Sequence, residues 1–265
     1  MFEQIILGTV QGIAEWLPVS SEGMIILTER VVFNRVDIFE TAVEQALFLH
    51  LGTFLAAFCY FFPKIKEYIK ACFRFPQSDT ESQQVIVFLL LSTLISGGLG
   101  ILLIKAVSSW ASQVDPAGRA ITALIGLLLI GTGILQLKTR DTGHRSLKDL
   151  TVKDGIILGI VQGLAVLPGF SRSGLTVSAL LLRNFNKTHA LELSFLMSLP
   201  IVLAGNIFLN VGQTTPWEPE RLIGLVFSFL FGILTIHGLL KLAQKVNFGL
   251  FVIFFGLLTI ASVFV

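Results

Sequence analysis

Two apolar stretches, 4–32 and 155–183, are each broken near the middle by proline, serine and charge, and no other feature of this chain restricts its fold as tightly. The breaks read Leu17-Pro18-Val19-Ser20-Ser21-Glu22-Gly23 and Leu167-Pro168-Gly169-Phe170-Ser171-Arg172-Ser173-Gly174. Proline removes a backbone donor and stops a helix. Non-helical backbone inside a bilayer is tolerated only where protein buries it or it lines a wet cavity. Each stretch is therefore expected to be a helix–turn–helix hairpin entering partway, with both tips at a shared polar site. The two hairpins are also copies. Ile6-Leu7-Gly8-Thr9-Val10-Gln11-Gly12-Ile13-Ala14 matches Ile157-Leu158-Gly159-Ile160-Val161-Gln162-Gly163-Leu164-Ala165, an internal repeat of about half the chain.

Around them lie six apolar runs, about 43–62, 85–105, 119–137, 190–211, 221–240 and 248–265, each near the ~20 residues that cross a bilayer as a helix. With 54% hydrophobic residues, 14% charged and a mean hydropathy of +0.82, one soluble core cannot hide so much apolar surface. The expected fold is an all-α integral membrane protein with six transmembrane helices and two re-entrant helix hairpins. It forms a single domain, 1–265, of two inverted-topology repeats, about 1–137 and 150–265, joined by a basic cytoplasmic loop. Inverted repeats place their broken elements together near the membrane midplane.

The positions of the charges give the orientation, because cytoplasmic loops carry the excess of Lys and Arg. Lys64, Lys66, Lys70 and Arg74 follow the first run; Lys138, Arg140, Arg145, Lys148 and Lys153 follow the third. Arg183 and Lys187 precede the fourth, and Lys241 and Lys245 follow the fifth. All fall on one side of the six-span drawing, whereas the opposite side receives 108–118 and 212–220, which contain no Lys or Arg. The expected location is the plasma membrane, with both termini extracytoplasmic and the site opening to that side. A net charge of +2 excludes a nucleic-acid partner as the main reading. Cys59, in an apolar run, and Cys72, in a basic loop, supply neither metal-ligand spacing nor a disulfide framework. The N-terminus lacks a basic start and cleavage site, so the first segment reads as retained.

Gln11 and Glu15 lie four apart on one helix face just before the break, and an ionisable group at membrane depth marks a functional site by default. Ser20 and Ser21 open a second half-helix, where free N–H groups favour an anion, although the same residues serve as caps elsewhere. Arg172 must be paired in an apolar hairpin, by Glu15 or by phosphate oxygens that suit its planar fork. Ser171, Ser173 and Thr176 add hydroxyls around it. A carboxylate and hydroxyls facing a cation and hydroxyls make a site for phosphoryl transfer. Gln162 is the repeat partner of Gln11, and His50, inside an apolar run, is close enough in sequence pattern to reach the site or to be a core histidine. His144 and His189 read as solvated loop residues.

Gln11-Gly12-Ile13-Ala14-Glu15 with Leu17-Pro18-Val19-Ser20-Ser21, and Pro168-Gly169-Phe170-Ser171-Arg172-Ser173-Gly174-Leu175-Thr176, resemble the two signature motifs of the undecaprenyl-diphosphate phosphatase family of the bacitracin-resistance type. His50-Leu51-Gly52-Thr53 and Ser194-Phe195-Leu196-Met197 are similar to its flanking segments. The resemblance implies hydrolysis of undecaprenyl diphosphate to the monophosphate and phosphate, recycling a lipid carrier for cell-envelope synthesis. It also implies a divalent cation, Mg or Ca, whose ligands are unknown, with Glu15 and Glu22 as candidates. Ser21 would attack phosphorus with Glu15 as base, Gln11 and Ser20 would help hold the phosphate, and Arg172 would carry the developing charge; direct attack by water stays open. The partners are a polyprenyl diphosphate and the bilayer, with the Phe-rich segments as contacts for the tail, and a homodimer is left open. One departure stands out: Met24 occupies the place of a motif histidine, and a thioether neither transfers a proton nor attacks phosphorus. Either that histidine is dispensable, or the chain is a transporter or flippase of a polyprenyl phosphate or small anion built on the same inverted-repeat site.

Overall fold

The computed structural model describes residues 1–17, 19–35, 39–114, 119–138, 143–167, 170–210, 219–242 and 249–261. Pro18, Pro168 and Gly169 at the two breaks lie outside the described residues, as do Arg140, Lys245, parts of 108–118 and 212–220, and the end of the last apolar run. Among the described residues every regular element is a helix. Its helices are α1 (Phe2–Ala14), α2 (Ser21–Val31), α3 (Phe39–Tyr60), α4 (Phe62–Phe73), α5 (Thr80–Val114), α6 (Arg119–Lys138), α7 (Val152–Leu164), α8 (Arg172–Leu182), α9 (Lys187–Asn210), α10 (Pro219–Leu242) and α11 (Gly249–Ala261).

Among the described residues three segments are long and apolar enough to cross a membrane, Thr80–Leu103, Lys187–Ile207 and Pro219–Lys241, and the bent pair α3–α4 makes a fourth if it counts as one span. Gly126–Leu135 in α6 and Val252–Ala261 in α11 are shorter apolar helices. The outward faces are apolar as well: Leu94 is 71% exposed, Leu234 65% and Leu257 55%. In water such faces would drive aggregation; in lipid they are the solvent-facing surface.

The broken stretches form the helix pairs α1–α2 and α7–α8. Their second helices start alike. Ser20, at φ −74° and ψ 112°, accepts from the Gly23 N–H at 3.1 Å, and Ser171, at φ −75° and ψ 111°, accepts from the Gly174 N–H at 3.1 Å. They also finish alike, because Asn34 and Asn184 just beyond them hold positive φ of 53° and 69°. α1 packs on α10 and α7 on α5. Small residues set the first spacing, since a Cβ at Gly8 would sit 2.2 Å from the Gly224 carbonyl oxygen.

The basic residues after the first run are not a loop. α3 stops at Phe61 and the chain turns by 78° into α4. Pro63 falls in the first turn of α4, where it cannot continue the α3 hydrogen-bond ladder. Lys64, Lys66, Lys70 and Cys72 therefore lie on a helix, and both cysteines are free and exposed. Ile65 and Tyr68 pack inward, Lys64 pairs with the buried Glu192 of α9, and Phe62, Ile69 and Phe73 are exposed.

At the loop end of α7, outside its apolar part, Asp154 is fully buried and closes a capping box with Thr151. Arg145 reaches it at 2.7 Å and Arg183 at 2.7 Å, which ties the foot of α7 to the end of α8. The guanidinium of Arg145 also stacks on Phe185, 4.2 Å from the ring centroid. The first pair has a similar clasp, Arg35 to Glu3 at 2.8 Å. Burial alone would raise the Asp154 pKa, but hydrogen bonds from Arg145, Thr151 and Arg183 outweigh it and hold the group at about 2, below its ordinary 3.8. A depressed carboxyl pKa stabilises the fold fully above the unfolded value and stops doing so as pH falls through the folded one. The purified chain in detergent should therefore lose thermal stability as pH drops from about 4 towards 2, and Asp154→Asn should flatten that segment of the melting-temperature profile. An unchanged profile would mean the clasp adds nothing to stability.

Candidate active site

Glu15, immediately after α1, is the hub where the two helix pairs meet. Its carboxylate is only 3% exposed and accepts from four side chains on four elements. Gln11 Nε2 donates to Oε2 at 3.0 Å, one turn back on α1 as their i, i+4 spacing requires. Ser21 Oγ donates to the same oxygen at 2.8 Å, and His50 Nε2 of α3 lies 3.0 Å from it. Arg172 Nη2 of α8 pairs with Oε1. The other ring nitrogen of His50 stands 2.6 Å from the Ala46 carbonyl oxygen. A carbonyl can only accept, so Nδ1 carries a proton, and a further proton must lie between Nε2 and Oε2 for that contact to form.

The tips are joined by backbone contacts too. Ser171 Oγ donates to the Val19 carbonyl at 3.0 Å, and Ser173 Oγ to the Leu17 carbonyl at 2.7 Å. Thr176 Oγ1 donates to the Arg172 carbonyl at 2.8 Å and bonds Ser194 Oγ at 2.7 Å. The Ser171 and Ser173 hydroxyls thus satisfy carbonyls at the break of the first pair, whereas that of Thr176 bonds back one turn within α8. Ser171, Thr176 and Gln11 stand off the lining of the cavity, and the Gln11 amide is directed at Glu15.

A cavity of about 350 Å³ opens beside the hub, with Glu15, Ser20, Ser21, Glu22, His50, Gln162, Arg172 and Ser173 at its polar end. Two helix N-termini face it. Ser20 and Ser171 cap the third N–H of their helices, which leaves the first two of each, Ser21 and Glu22, Arg172 and Ser173, as unpaired donors among the described residues. Only Nη2 of the Arg172 guanidinium has a partner among the described residues, so its remaining N–H groups are free for an anion. A hydroxyl, the carboxylate it is hydrogen-bonded to and a guanidinium thus surround one space.

His50 belongs to this centre and is not a core histidine; its signal was a lone imidazole inside an apolar run. Met24 faces the other way, packed against a cluster that includes Leu7, Ile25 and Leu49. His144 is exposed, whereas His189 sits in the first turn of α9 and bonds Asn186 rather than lying free in a loop. Sequence reasoning missed Ser96 and Ser194, which hold Gln162 and Thr176, and the α5 and α9 residues that complete the cavity.

The divalent cation does not fit a set of protein ligands here. Among the described residues no three of His, Cys, Asp and Glu stand together as a metal site. Both oxygens of Glu15 are taken, two of their four partners being a guanidinium and an imidazole. Glu22 has no hydrogen-bond or ion-pair partner among the described residues and remains a single carboxylate.

The sequence matches the family described as Bacitracin resistance protein BacA over residues 4–261. An undecaprenyl-diphosphatase of Methanococcoides burtonii is 41% identical, covering 99% of this chain and 98% of that protein. One of Haloarcula marismortui is 36% identical over 95% and 93%, and one of a Thermotoga species 31% identical over 88% and 87%.

If the free N–H groups of Arg172 form the anion seat, inorganic pyrophosphate should raise the melting temperature of the purified chain. Arg172→Lys, which keeps the charge but loses the fork, should remove most of that shift. An equal shift in the variant would place the anion elsewhere.

Proposed function

This chain belongs to the Bacitracin resistance protein BacA family, and from that membership we propose that it hydrolyses undecaprenyl diphosphate to the monophosphate and inorganic phosphate. The observation that carries the reading is the 2.8 Å hydrogen bond from Ser21 to Glu15 in a cavity where Arg172 has donors without partners among the described residues. The terminal phosphate lies against those donors and the N-termini of α2 and α8. Ser21 Oγ attacks the terminal phosphorus and passes its proton to Glu15 Oε2, while the bond from that phosphorus to the bridging oxygen breaks and the lipid monophosphate leaves. Water then attacks the phosphoserine, inorganic phosphate departs and the proton returns to Ser21. Sharing Arg172 between Glu15 and the arriving diphosphate leaves Oε2 better able to accept the proton. His50 and Gln11 keep Oε2 aimed at Ser21. The residue in the motif-histidine position, Met24, takes no part.

The site serves this reaction from within an inverted repeat of six spanning helices and two re-entrant pairs, with both termini and the site's mouth extracytoplasmic. The matching caps at Ser20 and Ser171, and the crossed packing of α1 on α10 and α7 on α5, support that drawing. So does the placement of basic residues.

Purified protein should release phosphate from a C55 diphosphate. Ser21→Ala and Glu15→Gln should each lower kcat by ~10³ or more, as expected for members of a unit that acts together. Met24→His should stay within about tenfold of the parent, because that position supplies little of the barrier reduction. A parent without hydrolysis, gaining it only with Met24→His, would overturn the assignment in favour of transport. For the topology, reporters fused after Phe75 and Arg145 should read cytoplasmic, and those after Ser112 and Val265 extracytoplasmic. A cytoplasmic C-terminus would remove the inverted drawing.

A further inference from the structure

The cavity does not end at the hub. Beyond its polar end it continues between α5 and α9, walled by Gly97, Gly100 and Ile101 on one side and Ile201, Val202 and Gly205 on the other. The glycines here differ from those that hold the helices together. At Gly8 and Gly12 an added Cβ would strike the backbone of α10 at 2.2 and 2.7 Å. At Gly97 the nearest atom would be 3.6 Å away, at Gly100 3.9 Å, and at Gly205 nothing lies within 4 Å. Glycine inside a helix is unfavourable relative to alanine, and close approach of a neighbouring backbone is the usual compensation. These three have none. What their missing side chains provide is volume.

A second, independent sign of an occupant is Gln162, 4% exposed and set at the junction of the two parts of the cavity. Its amide nitrogen bonds Ser96 Oγ at 3.1 Å and the Met197 carbonyl at 3.3 Å, while its Oε1 is buried without a donor among the described residues. Turning the amide towards the cavity would let a protonated phosphate oxygen, or a water carried with it, satisfy that atom. The wall opens outward at the exposed Leu203 and Ala204, on the face that α9 turns to lipid. The Phe-rich segments do not form it; Phe170 is the phenylalanine among the described lining.

We propose that the crevice between α5 and α9 holds the first isoprene units of the lipid substrate, the rest of the tail running out into the bilayer past Ala204. The assignment rests on the phosphatase reading for the head of the ligand, and continuity with the anion seat selects the tail of that same molecule as occupant. A space of about 350 Å³ is of ordinary ligand-pocket size and far too small for a whole C55 chain.

Two walls and one control test it. Gly97→Leu and Gly205→Leu fill the crevice from opposite sides, and Gly98→Leu adds the same bulk on α5 to an exposed position with nothing within 4 Å. Binding of a C15 prenyl monophosphate and of inorganic phosphate to the full chain is measured by thermal shift, which needs no turnover. Each crevice variant should weaken the prenyl ligand by about tenfold or more, leave inorganic phosphate within about twofold, and fold with a normal melting temperature; Gly98→Leu should match the parent for both. Prenyl binding unchanged in both crevice variants, or lost equally in Gly98→Leu, would overturn the assignment. In parallel, hydrolysis of C55 and C5 diphosphates should show a raised KM for the long substrate alone. A parent that binds prenyl phosphate in the crevice yet hydrolyses neither substrate would refute the phosphatase reading while leaving the crevice in place.

Discussion

A carboxylate and a guanidinium, Glu15 and Arg172, meet across the tips of two helix pairs that are distant in sequence, and the centre of the molecule depends on their meeting. Neither charge could stay buried in its own pair. Removing one partner of a buried ion pair leaves the other uncompensated, at a cost of about 3–5 kcal/mol. The pairs are thus mutually required, and the contacts from Ser171 to Val19 and Ser173 to Leu17 follow the same logic for the carbonyls that the broken helices expose. One arrangement satisfies the interior and creates the site.

The two pairs share a scaffold and divide the chemistry. Ser20 and Ser171 cap alike, Asn34 and Asn184 end the second helices alike, and a carboxylate at the foot of each first helix is clasped by arginine. Two of the positions that differ face the cavity with opposite chemistry. Where the first pair has Glu15 and Ser21, the second has Val166 and Arg172 in the corresponding places. Repetition supplies the frame, and divergence at those few positions turns a symmetric frame into a donor side and an acceptor side.

Proline and the repeated Leu-Pro-Ser pattern made both helix pairs legible in the sequence, because a break in an apolar run has few physical solutions. Glu15 and Arg172 were equally legible, since charge at membrane depth needs a partner. Less visible was how hydroxyls would be used. Ser171 and Thr176 read as ligands to phosphate, but whether a serine faces a cavity or a neighbouring carbonyl depends on packing between segments about 150 residues apart. His50 carried no local pattern that separated a core histidine from one at the hub. α4 was read as loop because its lysines alternate with apolar residues, and only the bend at Phe61 and Pro63 gives that mixture a helical role.

The bonds between the tips have a kinetic meaning. Alternating access requires two halves to rock apart around a site, yet here that motion would separate a buried ion pair and two hydroxyl–carbonyl bonds. Each buried group left unpaired costs about 1–3 kcal/mol. Together these exceed the few kcal/mol that usually separate interconverting conformers. The centre is accordingly a fixed cup, and what travels is the ligand. Lipid must arrive and depart by sliding in the plane of the bilayer, so the pace of a cycle would be set by sideways exchange with the surrounding lipid pool rather than by a swing of the protein.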